Sequence, residues 1–189
     1  KMKYILFIFL SLFFSNTLKA QIAVEYIQIP KGKYVVGDSE SLDNPKRIVE
    51  TAGFAIASTE LTNAVFEQFV NATQYRTLAE KYHNAMVFEP GLEEFRWLED
   101  STAYWRYPNG LSRGGIEDKM NHPVTCISFR DILAYCAWAN VRLPTFEEWE
   151  IAAKAGAEDR YSKGVTAQNV GEFANIWRGR DHMKADSTD

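Results

Sequence analysis

The sequence predicts an α+β domain with much irregular structure, and three observations predict it. Short alternating apolar segments punctuated by glycine and proline occupy residues 24–57. Amphipathic helical patterns with well-formed starts follow them, and a long aromatic-rich stretch with no sustained period lies between the helices. At 189 residues the chain is long enough for one domain with a sizeable core, and its 14% aromatic content argues for packing over disorder.

Residues 24–29 alternate, Pro30 to Gly32 turns, and residues 34–36 return before Gly37 and Asp38. Residues 47–50 and 54–57 look like another strand pair around Gly53, with the polar segment 38–45 as a surface loop. Thr62 is a good N-cap, and Val65, Phe66, Phe69 and Val70 fall on one face of the helix it opens. Thr77 and Glu80 spell a capping box for a short helix through Tyr82. Residues 90–120 read as a long ordered excursion held by Trp97, Tyr104 and Trp105.

The segment from His122 to Glu150 is the most densely specified. Ser128 and Asp131 resemble a capping box, and Thr145 with Glu148 forms a full one behind Pro144. Phe129, Tyr135, Trp138, Phe146 and Trp149 offer apolar area for a shared core. The second helix is expected to end near Gly156, and the tail is turn-like around the apolar residues 173–177. Glu147, Glu148 and Glu150 face different directions, so two of them are expected to be solvated or capping, and Arg142 is placed to pair with Glu148.

Residues 1–20 read as a secretory signal peptide, which leaves 21–189 as the domain. Lys1 and Lys3 precede an apolar run over residues 4–14, and Ala20 offers a small residue at the cleavage point; the rival reading is an uncleaved anchor. No membrane span is expected in the mature chain, which is read as exported, periplasmic or secreted. Removing Lys1, Lys3 and Lys19 takes the basic residues from 21 to 18 against 25 acidic ones, so the net charge moves from −4 to −7. No basic run compensates, and nucleic-acid binding is excluded on electrostatic grounds. Cys126 and Cys136 have three open fates: a mutual bridge, bridges to other cysteines, or burial in the reduced state. His83, His122 and His182 are scattered singly, with no paired metal-ligand spacing.

Taken in order, a series of short motifs resembles the formylglycine-generating enzyme family, the sulfatase-modifying factors. They are IPKGKY from Ile29 with Gly37, TELTN from Thr59 leading to Phe66 and Phe69, and ATQY from Ala72 with Thr77. AEKY from Ala79, VFE from Val87 and YWRYPNG from Tyr104 follow. HPV from His122, AYCAW from Ala134, RLPT from Arg142 with Glu148 to Glu150, and ANIW from Ala174 complete the set. The pieces spanning residues 81–89 and 105–110 look like the generating enzymes in particular. The departures are YSKG from Tyr161 where the family has YPWG, Phe129 for the usual Trp, Phe146 for Glu or Ala, and Ala153 where animal members carry a cysteine.

The resemblance implies a C-type-lectin-like fold steadied by calcium. It also implies oxidation of a cysteine in an unfolded sulfatase segment (C-x-P-x-R) to Cα-formylglycine with dioxygen and copper. The family's two reactive cysteines lie in a C-terminal half not seen here, so the fold is expected to be incomplete at its C-terminus, Cu(I) to belong to that half, and this chain alone to be inactive. Cys136 matches a position that in animal members bridges to that half, and both cysteines are read as structural. A calcium site is implied at the Asn175 side chain, the Ile176 carbonyl and Asp189, whose hard oxygen donors suit the ion. Asp181 and Asp186 are alternatives in another loop register, and the bland reading makes Asn175 a turn cap and Asp189 an ordinary terminal acid. The partner implied is an unfolded sulfatase polypeptide. Two rival functions stand beside the oxidase: a non-catalytic cell-envelope or secretion-associated binding module, and an iron-dependent sulfoxide synthase, which the signal peptide disfavours.

Overall fold

The computed structural model describes residues 23–88, 97–158, 160–174 and 176. The expected signal peptide therefore lies outside the described residues. The architecture is α+β: β1 (Tyr26–Ile29), β2 (Gly32–Val36), β3 (Arg47–Thr51) and β4 (Phe54–Ala57) precede α1 (Asn63–Thr73) and α2 (Leu78–Tyr82). Then come β5 (Ala85–Phe88), β6 (Trp97–Asp100), α3 (Phe129–Ala139) and α4 (Phe146–Lys154).

The first four strands form one long antiparallel ribbon instead of the two successive pairs that the sequence suggests. Tyr26 faces Ala57 and Ile29 faces Phe54; Gly32 faces Thr51 and Val36 faces Arg47, so both ladders keep a single register. The ribbon breaks where Pro30, which has no N–H to give, lies opposite Gly53. Gly53 adopts φ +93°, and a Cβ there would come within 3.0 Å of Lys31 N and 3.1 Å of the Ile29 carbonyl oxygen. The glycine thus marks a close crossing within the ribbon, and β4 pairs with β1.

Thr62 caps α1 as expected, its hydroxyl accepting from Val65 N. The helix buries Val65, Phe66 and Phe69 against Trp105, Ile116, Tyr135 and Cys136. Phe66 meets Trp105 edge-on at 5.3 Å between ring centres, and Phe69 touches the rings of Tyr75, Tyr135 and Trp138. A fully buried Phe of this kind contributes about 1.5–3 kcal/mol. Trp105 and Tyr104 hold the long excursion as predicted, but Trp97 does not: it is 55% exposed and lies against Phe88.

Phe129, Phe146 and Trp149 also depart from the expected shared core, being 64%, 60% and 60% exposed. Asp131 takes the inward position at the start of α3, and Phe129, two residues earlier, lies roughly 200° around the helix from it. Asp131 is fully buried. Its Oδ2 accepts from the backbone N and hydroxyl of Ser128, both at 2.7 Å, which completes the capping box of α3. Its Oδ1 accepts from Tyr75 Oη at 2.9 Å and from Leu78 N, the first amide of α2, at 3.1 Å. One carboxylate therefore satisfies donors from two helix starts, where negative charge is favoured. Burial, followed by the hydrogen bond to Asp131, pushes the Tyr75 phenol up to about 12.

Two of the three glutamates of α4 are capping or partly solvated as expected, Glu148 and Glu147, and Glu150 is turned inward. Glu148 caps the helix and forms a two-pronged pair with Arg142, both contacts at 2.6 Å. Glu147 reaches Arg47 on β3. Glu150 accepts from Gly37 N at 2.6 Å and from Asn44, while Lys154 donates to the Gly37 carbonyl at 2.6 Å. The tip of the ribbon is thereby fastened to α4 through both polar groups of one glycine.

Two outcomes test these contacts. Asp131→Ala strands several buried donors and is expected to cost about 3–5 kcal/mol in urea unfolding, against about 1 kcal/mol for Tyr75→Phe. A cost for Asp131→Ala no larger than for Tyr75→Phe would contradict the shared-cap role. Arg142 holds the Glu148 carboxyl down at about 2, below its ordinary 4.5. A depressed carboxyl stabilises the fold above its unfolded value and loses that contribution as pH falls through its folded value. Glu148→Gln is thus expected to be less stable than wild type at neutral pH, the gap closing between pH 4.5 and about 2; a pH-independent gap in thermal unfolding would refute the pairing.

Candidate functional site

A groove of about 610 Å³ opens beside α2, between the β5–β6 hairpin and the chain segment leading into α3. Its walls are Leu78, Ala79 and Tyr82 from α2, Met86, Phe88 and Trp97 from the hairpin, Pro108 and Asn109 from the following turn, and Thr125 to Ser128. Strand alternation builds the hairpin wall. Ala85 and Val87 point into a small satellite core with Ala103, so Met86 and Phe88 face outward. Phe88 and Trp97 are register partners, and their rings meet edge-on at 5.8 Å.

The turn below the hairpin is fixed by local chemistry. Asp100 accepts from the amide and hydroxyl of Thr102, at 2.7 and 2.6 Å, and these bonds hold its carboxyl below the usual range. Gly110 adopts φ +88°, and a Cβ there would stand 2.2 Å from Asp100 Oδ2, so only glycine brings the two segments so close. Tyr104 and Tyr107 exchange backbone hydrogen bonds, and Arg106, paired to Glu67 at 2.7 Å, stacks over Trp105. The turn bearing Pro108 and Asn109 is thus anchored to the main core.

Cys126 forms part of the groove wall. It lies in a bend at φ +54°, a left-handed conformation uncommon for a residue with a Cβ. Its thiol is half-buried, donates to the Pro108 carbonyl at 3.3 Å, and is pushed up by burial. Cys136 is buried in the main core beside Tyr135, and burial pushes its thiol up as well. Both are free. Neither has the exposure and lowered pKa of a reactive thiol, and they belong to separate clusters, so they do not form the closely set sulfur pair that would hold copper(I).

Of the residues proposed from sequence to hold calcium, Asn175 and Asp189 lie outside the described residues. Ile176 is described, with a partly exposed side chain. Among the described residues no group of three or more histidine, cysteine or acidic side chains is gathered as a metal site. What the structure brings together is the pair of segments that the sequence reading singled out as resembling the generating enzymes. Residues 81–88 and 105–110, remote in sequence, meet at the groove. Their groove residues Tyr82, Asn84, Phe88 and Asn109 carry no chemistry alone, and only the meeting of the two segments in the structure picks them out. A second cavity, of about 500 Å³, lies between the ribbon and α1 and α3, with walls formed by Tyr26, Tyr135, Trp138 and Gln68.

The family model described as the sulfatase-modifying factor enzyme 1-like domain matches residues 15–189. The formylglycine-generating enzyme of Mus musculus is 37% identical over 174 residues, which cover 82% of this chain and 46% of that protein. The inactive C-alpha-formylglycine-generating enzyme 2 of Bos taurus is 36% identical over 175 residues, covering 83% and 57%. The formylglycine-generating enzyme of Streptomyces coelicolor is 35% identical over 174 residues, covering 82% and 55%. The chain spans about half the length of the curated relatives it matches.

The thiol environments predict slow chemistry. In native protein at neutral pH both cysteines are expected to react with dithionitrobenzoate at least about tenfold more slowly than after unfolding in guanidinium. Rapid modification of either one in the folded protein would show an activated thiol in this part of the domain.

Proposed function

The chain belongs to the sulfatase-modifying factor family, and from that premise we propose that it is the N-terminal portion of an exported formylglycine-generating oxidase. The activity proposed is conversion of a cysteine in a C-x-P-x-R sulfatase segment to Cα-formylglycine. The single observation that carries this reading is the groove, because the two segments most like the generating enzymes build it from opposite sides. In this role the described residues bind and orient an extended polypeptide, and the reacting thiol pair belongs to polypeptide beyond them. Copper held by that pair would supply dioxygen chemistry. The C-type-lectin-like scaffold and export through residues 1–20 belong to the same proposal.

Structural calcium fits the donor set of Asn175 amide, Ile176 carbonyl and Asp189 carboxylate, all hard oxygen ligands. A second reading, a non-catalytic binding module, is favoured by two observations. Burial raises both thiols, Cys136 being buried and Cys126 half-buried, and an inactive relative is as similar as the active ones. That module would use the same groove and lack the thiol pair.

Incubation of the full-length protein with a C-x-P-x-R peptide, copper and oxygen separates the two. The oxidase reading expects a peptide aldehyde by mass spectrometry, whereas binding without turnover establishes the module. Calcium is expected to raise the melting temperature, and Asp189→Ala to abolish that rise; an unchanged response would remove the calcium site.

A further inference from the structure

The sequence contains a single Asn-Gly step, Asn109–Gly110. Such a step is chemically reactive, because glycine puts no side chain in the way of attack on the asparagine amide. The nitrogen of Gly110 can bond to Asn109 Cγ and expel ammonia, closing a succinimide, and water then opens the ring at either carbonyl. Opening at the main-chain carbonyl leaves an isoaspartyl link, with an extra carbon in the backbone; opening at the side-chain carbonyl leaves aspartate. Water is taken up, ammonia is released and a carboxylate is gained, with nothing oxidised or reduced.

Asn109 is exposed to solvent, yet the nitrogen that would attack it is not free. Residues 107–110 form a turn in which Gly110 N donates to the Tyr107 carbonyl at 3.0 Å, with Pro108 at its first central position. Gly110 is buried, and Asp100 Oδ2 fills the place a Cβ would take, so the peptide has no room to slide. Both flanks are fastened as well. Tyr107 N donates to the Tyr104 carbonyl at 2.9 Å before the step, and Leu111 N donates to Thr102 Oγ1 at 3.0 Å after it. Ring closure requires the Asn109–Gly110 peptide to rotate away from Tyr107, which breaks the turn. We infer that Asn109 is a latent deamidation site held shut by this turn, and that reaction there, once the turn opens, is a one-way change. An isoaspartyl link is too long for Gly110 N to return to the Tyr107 carbonyl. The new carboxylate also lies one residue from the glycine that abuts Asp100, so like charges oppose re-closure. The inference concerns the durability of the domain and holds for an oxidase and for a binding module alike.

Ageing the full-length protein in mildly alkaline buffer tests it, with the tryptic peptide from Tyr107 to Arg113 read by mass spectrometry for isoaspartate and aspartate. Deamidation of the native protein is expected to run at least about tenfold slower than in guanidinium. Thr102→Val removes the hydroxyl that holds Leu111 N, and is expected to raise the native rate several-fold while leaving the denatured rate unchanged. Where that variant fails to fold, hydrogen exchange at the Gly110 amide of the wild type in increasing urea decides, since exchange and deamidation must rise together. Native deamidation as fast as denatured, a folded Thr102→Val variant that ages no faster than wild type, or a Gly110 amide that exchanges freely while Asn109 stays intact overturns the inference. So does isoaspartyl protein that regains full protection at Gly110 after refolding.

Discussion

Much of this molecule depends on one buried carboxylate. Asp131 receives the first amide of α2, the cap amide and hydroxyl of α3, and the Tyr75 phenol. A neutral side chain of the same shape would have fewer lone pairs and no charge to set against two helix dipoles. The consequence reaches the groove directly. Leu78 and Ser128, whose backbone amides Asp131 holds, both line it. The relative placement of the α2 wall and the wall leading into α3 is therefore fixed from behind by a single residue, out of reach of solvent or ligand.

The other end of the domain is fastened differently. Glu150 and Lys154, one turn apart on α4, take the amide and carbonyl of Gly37, and Arg47 and Arg160 add exposed pairs to Glu147 and Asp38. Exposed pairs of this sort contribute little singly. The two bonds to Gly37, a buried residue, differ, because they satisfy main-chain groups at a ribbon tip that would otherwise be unpaired in a poorly solvated place. The ribbon has no other sheet to pair with among the described residues, so its attachment to α4 stands in for a third strand.

What was legible in the sequence follows from range. Capping boxes at Thr77, Ser128 and Thr145 are written within four residues, and all three form. The apolar face of α1 is likewise a local pattern, and it packs as read. The nested ribbon was not legible, because Pro30 and Gly53 look like two independent turns until their strands are known to face each other. Nor was the outward position of Phe129, since Asp131 reads as a cap and only its burial shows which side of α3 faces in. The groove was half legible: the motifs named its two segments but not their meeting.

The two cysteines show why scaffold and thiol chemistry separate in such a domain. Holding α2 and α3 against a buried carboxylate demands a dry, close-packed interior, and Cys136 is part of it. A thiol in that setting is driven toward its neutral form, the opposite of what a nucleophile or a copper(I) ligand needs. Cys126, nearer the groove, is turned by its left-handed backbone so that its sulfur meets the Pro108 carbonyl. Lowering the pKa of the Cys136 thiol would require water or positive charge where the packing of the main core excludes both. The packing around Cys136 suits a scaffold, and a reactive thiol needs a position free of it.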